Sequence, residues 1–175
     1  MNSPTDPYEK QSTCRLGSTG GRCELDANLE ILRNVHAFSG IPLPRLKLYA
    51  YLSRRMCYKA GEFVFRQHDS ANRGYIIVSG KAQVIREYKD HSLFLNELQE
   101  GDFFGGLALL SEVKRLFTVK AVTNLECLTL DRESYRRLLA QFPEVAVKIL
   151  DTMIKRIVQM EEKLFEEKLH ECVYG

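Results

Sequence analysis

The residues with the clearest chemical potential lie between Gly101 and Ala121. Gly105 and Gly106 stand side by side before a short apolar run, and a lone arginine, Arg115, comes nine residues after Gly106. Glycine leaves the backbone uncrowded, so consecutive N–H groups can converge on an anion at the start of a helical turn. An arginine that folds back to the same place would supply the opposite charge. This spacing predicts anion binding.

Sequence motifs for catalysis do not occur in the chain. It contains no G-x-S-x-G nucleophile motif, no H-E-x-x-H zinc motif and no phosphate loop. The G-S-T-G-G-R run at residues 17–22 lacks the Gly-Lys-Ser/Thr ending of such a loop, and no strand precedes it. We interpret that run as linker. We therefore expect a protein that is not an enzyme and that holds no metal.

The segment F-F-G-G-L-A-L-L-S-E-V-K-R, residues 103–115, resembles the phosphate-binding cassette of cyclic nucleotide-binding domains. The family pattern runs F-G-E-(L/I)-A-L-L, a short spacer, and then R-(A/S)-A. Catabolite activator protein and the regulatory subunits of protein kinase A belong to this family. The resemblance implies cAMP or cGMP as the ligand and no resident cofactor. It also implies that the cyclic phosphate is bound by Gly105, Gly106, Leu107, Ala108, Arg115 and Leu116.

Two departures from the family pattern bear on ligand affinity. Gly106 stands where the family has a glutamate, which accepts a hydrogen bond from the ribose 2′-hydroxyl. Losing one such contact costs about 0.5–1.5 kcal/mol. Leu116 and Phe117 replace two small residues. A Leu116 that points inward would fill the phosphate volume, whereas a Phe117 that lies in the core would leave the pocket open. We expect ligand binding that is weak, altered or lost.

The elements that must position this cassette begin with two helices. Residues 1–25 are rich in Ser, Thr, Gly, Pro and charge, which predicts a flexible tail. From Asp26 onward, apolar residues fall at helical spacing, and Gly40 ends that helix. A second amphipathic helix is predicted from Leu46 through Met56.

Short apolar segments separated by turn residues occupy the middle of the chain. They predict strands at residues 63–65, 75–78, 82–88, 93–98, 117–121 and 125–128. Many short strands at regular intervals favour a β-barrel or a double-sheet roll. With the family resemblance, the implied fold is α+β and mainly β. It is an antiparallel β-roll (a double-stranded β-helix) of the cyclic nucleotide-binding type, with N-terminal helices and a long C-terminal helix. Residues 26–142 would hold the helical lead-in, the roll and one further helix.

Two helices are predicted after the strands. Asp131 is a candidate N-cap for the first, which ends near Phe142, and Pro143 suits the first turn of the second. Residues 143–175 carry a heptad seam. The seam is either a wide stripe that faces the core or the contact of a parallel homodimer, and the family resemblance favours the dimer. The predicted dimerisation residues are Leu150, Met153, Ile157, Met160 and Leu164.

Composition limits the remaining function classes. The formal net charge of +2 is too small to imply nucleic acid or an anionic membrane as a partner. No apolar run approaches the roughly 18 residues of a membrane span. The five cysteines lack the close spacing of a metal or cluster site and suit reduced thiols. We expect a cytoplasmic protein that binds neither DNA nor membranes.

The interpretation that joins these features is a non-catalytic regulatory or sensor module of the cyclic nucleotide-binding type. The chain ends at Gly175, and no helix-turn-helix, kinase or channel segment is expected after the long helix. The output would then pass through dimerisation or through an unknown protein partner. Two alternatives remain open: an interaction and dimerisation scaffold with an empty pocket, and a redox sensor that uses its cysteines.

Overall fold

A computed structural model gives the structure of most of the chain. It describes residues 21–35, 38–89 and 91–144, without the side chains of residues 21–23, and then a set of short stretches along the C-terminal segment: 146–147, 150–151, 154–155, 157–159, 161–162 and 165–166. The chain forms two compact units, Met1–Leu138 and Leu139–Gly175.

The first helix, α1, spans Gly21–Asn34. It begins ahead of Asp26, so the prediction of a flexible tail over residues 1–25 is wrong for the last of them. Leu25 extends the apolar face of the helix towards its N-terminus. Glu24 lies in the first turn, where a carboxylate interacts favourably with the helix dipole. The residues before α1 lie outside the described part of the chain.

The second helix, α2, spans Leu43–Leu52 and is shorter than predicted. Ser53 ends it with an extended backbone, φ −73° and ψ 150°, and the Ser53 hydroxyl donates to the Tyr49 carbonyl at 2.7 Å. The prediction that this helix continues to Met56 is wrong. The spacing of Met56 fits a helix, but its alternation with Tyr58 fits a strand, and the strand buries both side chains.

Ten strands occur within the described part of the chain. In chain order they are β1 (Arg54–Tyr58), β2 (Phe63–Phe65), β3 (Ser70–Ala71), β4 (Arg73–Ser79), β5 (Ala82–Tyr88), β6 (His91–Leu98), β7 (Phe103–Phe104), β8 (Val113–Lys114), β9 (Thr118–Ala121) and β10 (Leu125–Asp131). A one-turn helix, α3 (Leu107–Leu110), lies between β7 and β8. The strands form two four-stranded sheets, ordered β1-β10-β4-β7 and β2-β9-β5-β6, and a small β3-β8 pair.

The two four-stranded sheets share one hydrophobic core. One sheet supplies Met56, Tyr58, Tyr75, Ile77, Phe104, Leu125 and Cys127, and the other supplies Val64, Phe65, Ala82, Val84, Val119 and Ala121. Side chains alternate between the two faces of a strand, and β1, β4, β5, β9 and β10 each give two residues at this spacing to the core. All of the pairings are antiparallel. The predicted architecture, a mainly β antiparallel roll with helices, is confirmed.

The helix after the roll, α4, spans Arg132–Gln141. Asp131 caps it: one carboxylate oxygen accepts from the Ser134 N–H at 2.8 Å, and the other accepts from the Ser134 hydroxyl at 2.9 Å. The predicted N-cap is therefore confirmed. Tyr135 and Leu138 lie on its buried face.

The second unit holds the segment for which a long helix is predicted. Pro143 is helical, and so is every described residue from there to residue 166. Two members of the predicted seam, Leu150 and Ile157, are 57% and 55% exposed. The other three, Met153, Met160 and Leu164, lie outside the described residues. None of the described helices is both long enough and apolar enough to cross a membrane.

The cysteines differ from one another in chemical state. Cys127 in β10 is a buried free thiol, and burial, with a smaller effect of the Glu126 carboxylate, raises the pKa of this thiol. A thiol in that state is unreactive. Cys57 in β1 is disulfide-bonded, so the prediction that the cysteines are reduced is wrong for this residue. Sequence spacing cannot reveal which distant cysteines the fold brings together.

Candidate functional site

The glycine pair forms the turn between β7 and α3. Gly105 has a φ of +72°, in the left-handed region that favours glycine. A Cβ added to Gly105 would lie 2.6 Å from Nη1 of Arg115. The turn and the arginine thus lie together, as their spacing predicts. Gly106 has an ordinary helical backbone, φ −63° and ψ −27°, so backbone conformation does not require glycine there.

The Arg115 side chain is buried beneath this turn, with only 6% of the residue exposed. Nη2 donates to the Arg73 carbonyl at 2.9 Å, and Nη1 donates to the Gly105 carbonyl at a longer 3.4 Å. The guanidinium carbon lies 4.0 Å from the centre of the Phe65 ring and 5.4 Å from that of Tyr75. These distances fit cation–π contacts. Backbone carbonyls and aromatic rings therefore hold the positive charge in place.

The backbone of Arg115 is fixed by a loop that is distant in sequence. Its N–H donates to the Asp69 carbonyl at 2.9 Å, and its carbonyl accepts from the His68 N–H at 2.8 Å. His68 has a φ of +70°, which is uncommon for a residue other than glycine. The Asp69 carboxylate closes the same turn by accepting from the Arg66 N–H at 2.6 Å. Both the position and the direction of Arg115 are thus set by tertiary contacts.

The first turn of α3 uses some of the predicted backbone donors internally. The Ala108 N–H donates to the Gly105 carbonyl at 3.2 Å, and the Leu109 N–H donates to the Gly106 carbonyl at 3.0 Å. Ala108 is buried, whereas the Leu107 side chain is exposed. A ligand that bound the Ala108 N–H would have to share or replace its bond to Gly105.

The two bulky residues after the arginine point in different directions. Leu116 is 56% exposed, and its carbonyl accepts a hydrogen bond from Nη1 of Arg86 on β5. Phe117 is partly buried and packs against the core, with its ring centre 6.0 Å from that of Phe65. In this structure, therefore, Phe117 contributes to the core and Leu116 lies in solvent.

The ring of Phe103 lies directly beside Gly106. A Cβ added to Gly106 would lie 2.6 Å from Cε1 and 2.7 Å from Cζ of this ring. Those distances are shorter than any ordinary carbon–carbon contact, so a side chain at position 106 would have to displace Phe103. The phenylalanine thus fills the space that a residue with a side chain would use.

Two arginines of α4 hold the carbonyl end of α3. Nε of Arg132 donates to the Ala108 carbonyl at 2.6 Å, and Nη2 of Arg132 donates to the Ala71 carbonyl. Nη2 of Arg136 donates to the Leu110 carbonyl at 2.7 Å. The last carbonyls of a helix have no partner within the helix. These side chains supply the partners and join the cassette to α4.

Sequence reasoning finds the cassette but misses its surroundings. The partners that it misses come from distant strands and helices, and no local motif connects them with Arg115. Phe103 alone has a local signal, because it stands in the F-F-G-G run. The missed residues are Phe65, Arg73, Tyr75, Arg86, Phe103, Arg132 and Arg136.

Comparison with known proteins places the chain in a family. The sequence profile of the cyclic nucleotide-binding domain matches residues 55–142, about half of the 175 residues. The chain belongs to the cyclic nucleotide-binding domain family. The matched region of this domain begins in β1 and ends directly after α4, so it contains most of the β-roll and the whole cassette. The resemblance carried by the cassette is confirmed.

Relatives of this cyclic nucleotide-binding domain include regulatory proteins. The cAMP-dependent protein kinase regulatory subunit of Schizosaccharomyces pombe is 30% identical over 140 residues, which cover 80% of this chain and 32% of that protein. The structure of Thermus thermophilus catabolite activator protein matches with a TM-score of 0.68 and 28% identity, covering 77% of this chain and 64% of that one.

The regulatory domain of Toxoplasma gondii PKA, solved with cAMP, shares the fold with a TM-score of 0.68 at 23% identity. The match covers 79% of this chain and 51% of that one. Against the first curated relatives that it matches, this cyclic nucleotide-binding domain spans about a third or less of their length.

Proposed function

We propose that this domain is a non-catalytic regulatory module that binds a small cyclic phosphate through Arg115. The observation that supports this most strongly is the buried guanidinium beneath the Gly105 turn, only 6% exposed. Its contacts include two backbone carbonyl oxygens and two aromatic rings, which hold the guanidinium in one orientation. An arginine held in this way is suited to planar recognition of a phosphate.

The long bond from Arg115 to the Gly105 carbonyl is the contact that a ligand oxygen could replace. At 3.4 Å, the distance from Nη1 to the Gly105 carbonyl is beyond the usual hydrogen-bond range. An ionised phosphate oxygen at that place would form a charge-assisted hydrogen bond, which is about twice as strong as a neutral one. The low dielectric of a largely buried site strengthens this interaction further. A phosphate oxygen would therefore be a stronger acceptor for Nη1 than the Gly105 carbonyl is.

We propose cAMP or cGMP as the ligand. The support comes from the relatives, which include a cAMP-dependent protein kinase regulatory subunit and a regulatory domain whose structure was solved with cAMP. Gly106 provides no side-chain acceptor for the ribose 2′-hydroxyl, and such a bond is worth about 0.5–1.5 kcal/mol. We therefore expect ordinary cAMP to bind with micromolar or weaker affinity.

The regulatory output would pass from the cassette to α4. Arg132 and Arg136 connect the end of α3 to α4 through the carbonyls of Ala108 and Leu110. A ligand that shifts α3 would therefore shift α4. It would do so only to the extent that it binds one arrangement of these helices more tightly than the other.

Calorimetric titration of the full chain with cAMP and cGMP tests this function. Binding to the wild type should weaken by at least tenfold in Arg115→Ala and only partly in Arg115→Lys, which keeps the charge but loses the planar fork. Arg137→Ala is the matched control, because Arg137 lies on the exposed side of α4 and pairs with Glu133. Circular dichroism checks that each variant folds. Equal affinity in the wild type and in a folded Arg115→Ala variant would contradict the proposal.

We also propose dimerisation through the long helix as a second function, with residues 143–175 as the contact element. The supporting observation is a set of exposed apolar side chains on helical residues of that segment: Val147, Leu150, Ile154, Ile157, Val158 and Phe165. Apolar residues that recur at three- and four-residue spacing along one helix are suited to a partner helix. A second copy of the chain would cover them.

A further inference from the structure

We propose that strand β6 is a contact between two copies of this chain. Two β6 strands would pair in antiparallel fashion across a two-fold axis at Phe94, and the two β2-β9-β5-β6 sheets would become one continuous sheet. This contact goes beyond the proposed function. It needs no ligand at Arg115, and it is separate from the proposed contact between the long helices.

β6 forms one edge of its sheet. Among the described strands it pairs with β5 alone and stands last in the sheet order. Edge strands can pair with another chain, and proteins commonly prevent this with short edge strands, lysine, proline or bulges. β6 has eight residues, without lysine or proline. Its one bulge, at Leu95, bends the edge but leaves the strand paired with β5 on both sides. β6 is therefore a long edge with little protection against pairing.

The exposure of β6 indicates which kind of element would cover it. None of its eight side chains is buried, and the consecutive residues Leu93, Phe94 and Leu95 are 60%, 59% and 47% exposed. Neighbouring side chains on a strand point to opposite faces, so Leu93 and Phe94 leave apolar surface on both faces of the sheet. A helix packed on one face would cover only one of them. A strand added at the edge contacts both.

The sequence of β6 is complementary to itself in one register. With Phe94 on the two-fold axis, Leu93 faces Leu95 of the partner subunit, and Ser92 faces Asn96 of the partner subunit. Apolar residues then meet apolar residues, and polar residues meet polar residues. Moving the axis to Leu93 or to Leu95 would place Phe94 opposite a serine or an asparagine. A second copy of this chain is therefore the occupant that fits the edge.

The charged and titratable groups of β6 agree with the same register. His91 would face Glu97 of the partner subunit, which is a favourable cross-strand pair. The two copies of Glu97 would lie about 20 Å apart along the strands, so the carboxylates would not repel each other strongly. Each Glu97 also keeps its ion pair with Nζ of Lys81, at 2.7 Å. The pairing thus brings no like charges together.

A single pair of edge strands makes a small contact. Stable protein interfaces bury about 1,200–2,000 Å² in total, and the exposed parts of three large side chains on each strand supply only part of that area. We therefore expect the β6 contact to form at high protein concentration and to dissociate on dilution. Covalent trapping is suited to a contact of this kind.

Disulfide trapping of Phe94→Cys in the full chain tests the contact and its register. On the two-fold axis the two Cα atoms would lie about 4.5–5.5 Å apart, a separation that a disulfide spans. Ser92→Cys is the matched control, because Ser92 is exposed on the same strand and would lie about 13 Å from its own copy along the strands. Under one mild oxidant, non-reducing electrophoresis should show at least about fivefold more covalent dimer for Phe94→Cys. The wild type measures the background from the native cysteines.

A mixture of Ser92→Cys and Asn96→Cys chains provides a second test, because these two positions would face each other across the axis. The mixture should yield covalent dimers, whereas each variant alone should stay at the wild-type background. Circular dichroism checks that every variant folds, and the mixture decides if Phe94→Cys does not. Trapping of a folded Phe94→Cys that does not exceed that of Ser92→Cys, or a mixture that stays at background, would overturn the inference.

Discussion

Nη2 of Arg115 lies 2.9 Å from the carbonyl oxygen of Arg73, a residue 42 positions earlier in the chain. This bond ties the loop before β9 to β4, which belongs to the other four-stranded sheet. Arg115 therefore contributes to the fold before any ligand binds. Variants that probe the site must separate this structural contribution from ligand binding.

Gly105→Ala should destabilise the fold and displace the arginine. Alanine at a φ of +72° costs about 1–2 kcal/mol, and its Cβ would also lie 2.6 Å from Nη1 of Arg115. Gly101→Ala is the matched control, because Gly101 has a φ of +86° and no atom within 4 Å of an added Cβ. Urea unfolding of both variants measures the difference. If both variants lost the same free energy of unfolding, the close approach of the added Cβ to Arg115 would not contribute to the destabilisation.

Arg132→Ala should destabilise the domain more than the same substitution at Arg137 does. The substitution leaves the Ala108 and Ala71 carbonyls without these donors, and each lost bond costs about 0.5–1.5 kcal/mol or more. Arg137→Ala removes only an exposed ion pair with Glu133, so we expect a change within about 0.5 kcal/mol. The free energies of unfolding from urea titration provide the comparison. An Arg132→Ala variant as stable as Arg137→Ala would contradict the proposed connection between α3 and α4.

The parts of the fold that sequence predicts well are those with a local signal. The apolar run of β4, the alternation in β5 and the N-cap at Asp131 are such signals, and the structure agrees with them. The two-residue strands β3, β7 and β8 are too short to show a period, and only their tertiary pairing makes them strands. Sequence wrongly assigns Met56 to α2 for a related reason. Its four-residue spacing from Leu52 fits a helix, and its alternation with Tyr58 in β1 is too short to outweigh that signal.

The residues of the candidate site also fall into a part that sequence predicts and a part that it does not. Gly105 and Arg115 belong to one short motif, so sequence brings them together. The Arg73 carbonyl and the Phe65 ring reach the same arginine from distant strands. Contacts between distant strands depend on sheet register, which a single sequence does not encode locally.

The stability of the domain should fall in alkaline solution because of Tyr49. Burial raises the pKa of Tyr49 from 10.0 to about 12. Burial, with a smaller effect of Tyr49, also raises the pKa of Tyr135. A folded-state pKa above the unfolded value gives a stabilisation that is complete below pH 10 and is lost as pH rises towards about 12. The free energy of unfolding measured against pH should follow this course.

Tyr49→Phe identifies the group responsible. This variant should lose less stability over the alkaline range, and at neutral pH it should be at least as stable as the wild type. Within the described part of the chain, the buried Tyr49 hydroxyl has no hydrogen-bond partner, so its removal leaves no group unsatisfied. Tyr51→Phe is the control, because Tyr51 is exposed. An alkaline profile unchanged by Tyr49→Phe would show that other groups cause the loss.

Charge substitutions on the long helix should produce monomers. Leu150→Glu and Ile157→Glu place carboxylates on exposed apolar positions of that helix, where they would be buried in a dimer at a cost of several kcal/mol. Light scattering gives the mass of each variant. Gln159→Glu adds the same charge at an exposed polar position and should leave the mass unchanged. A wild type that is monomeric at high protein concentration would end the dimer proposal.

The most direct test of the central claim is an experimental structure of the chain with cAMP. We expect a cyclic phosphate oxygen within about 2.7–2.9 Å of the Arg115 guanidinium. The long bond from Nη1 to the Gly105 carbonyl should be replaced by this contact, while the bond to the Arg73 carbonyl persists. Nucleotide bound away from Arg115, or a guanidinium that keeps both carbonyl bonds with the nucleotide present, would contradict the account.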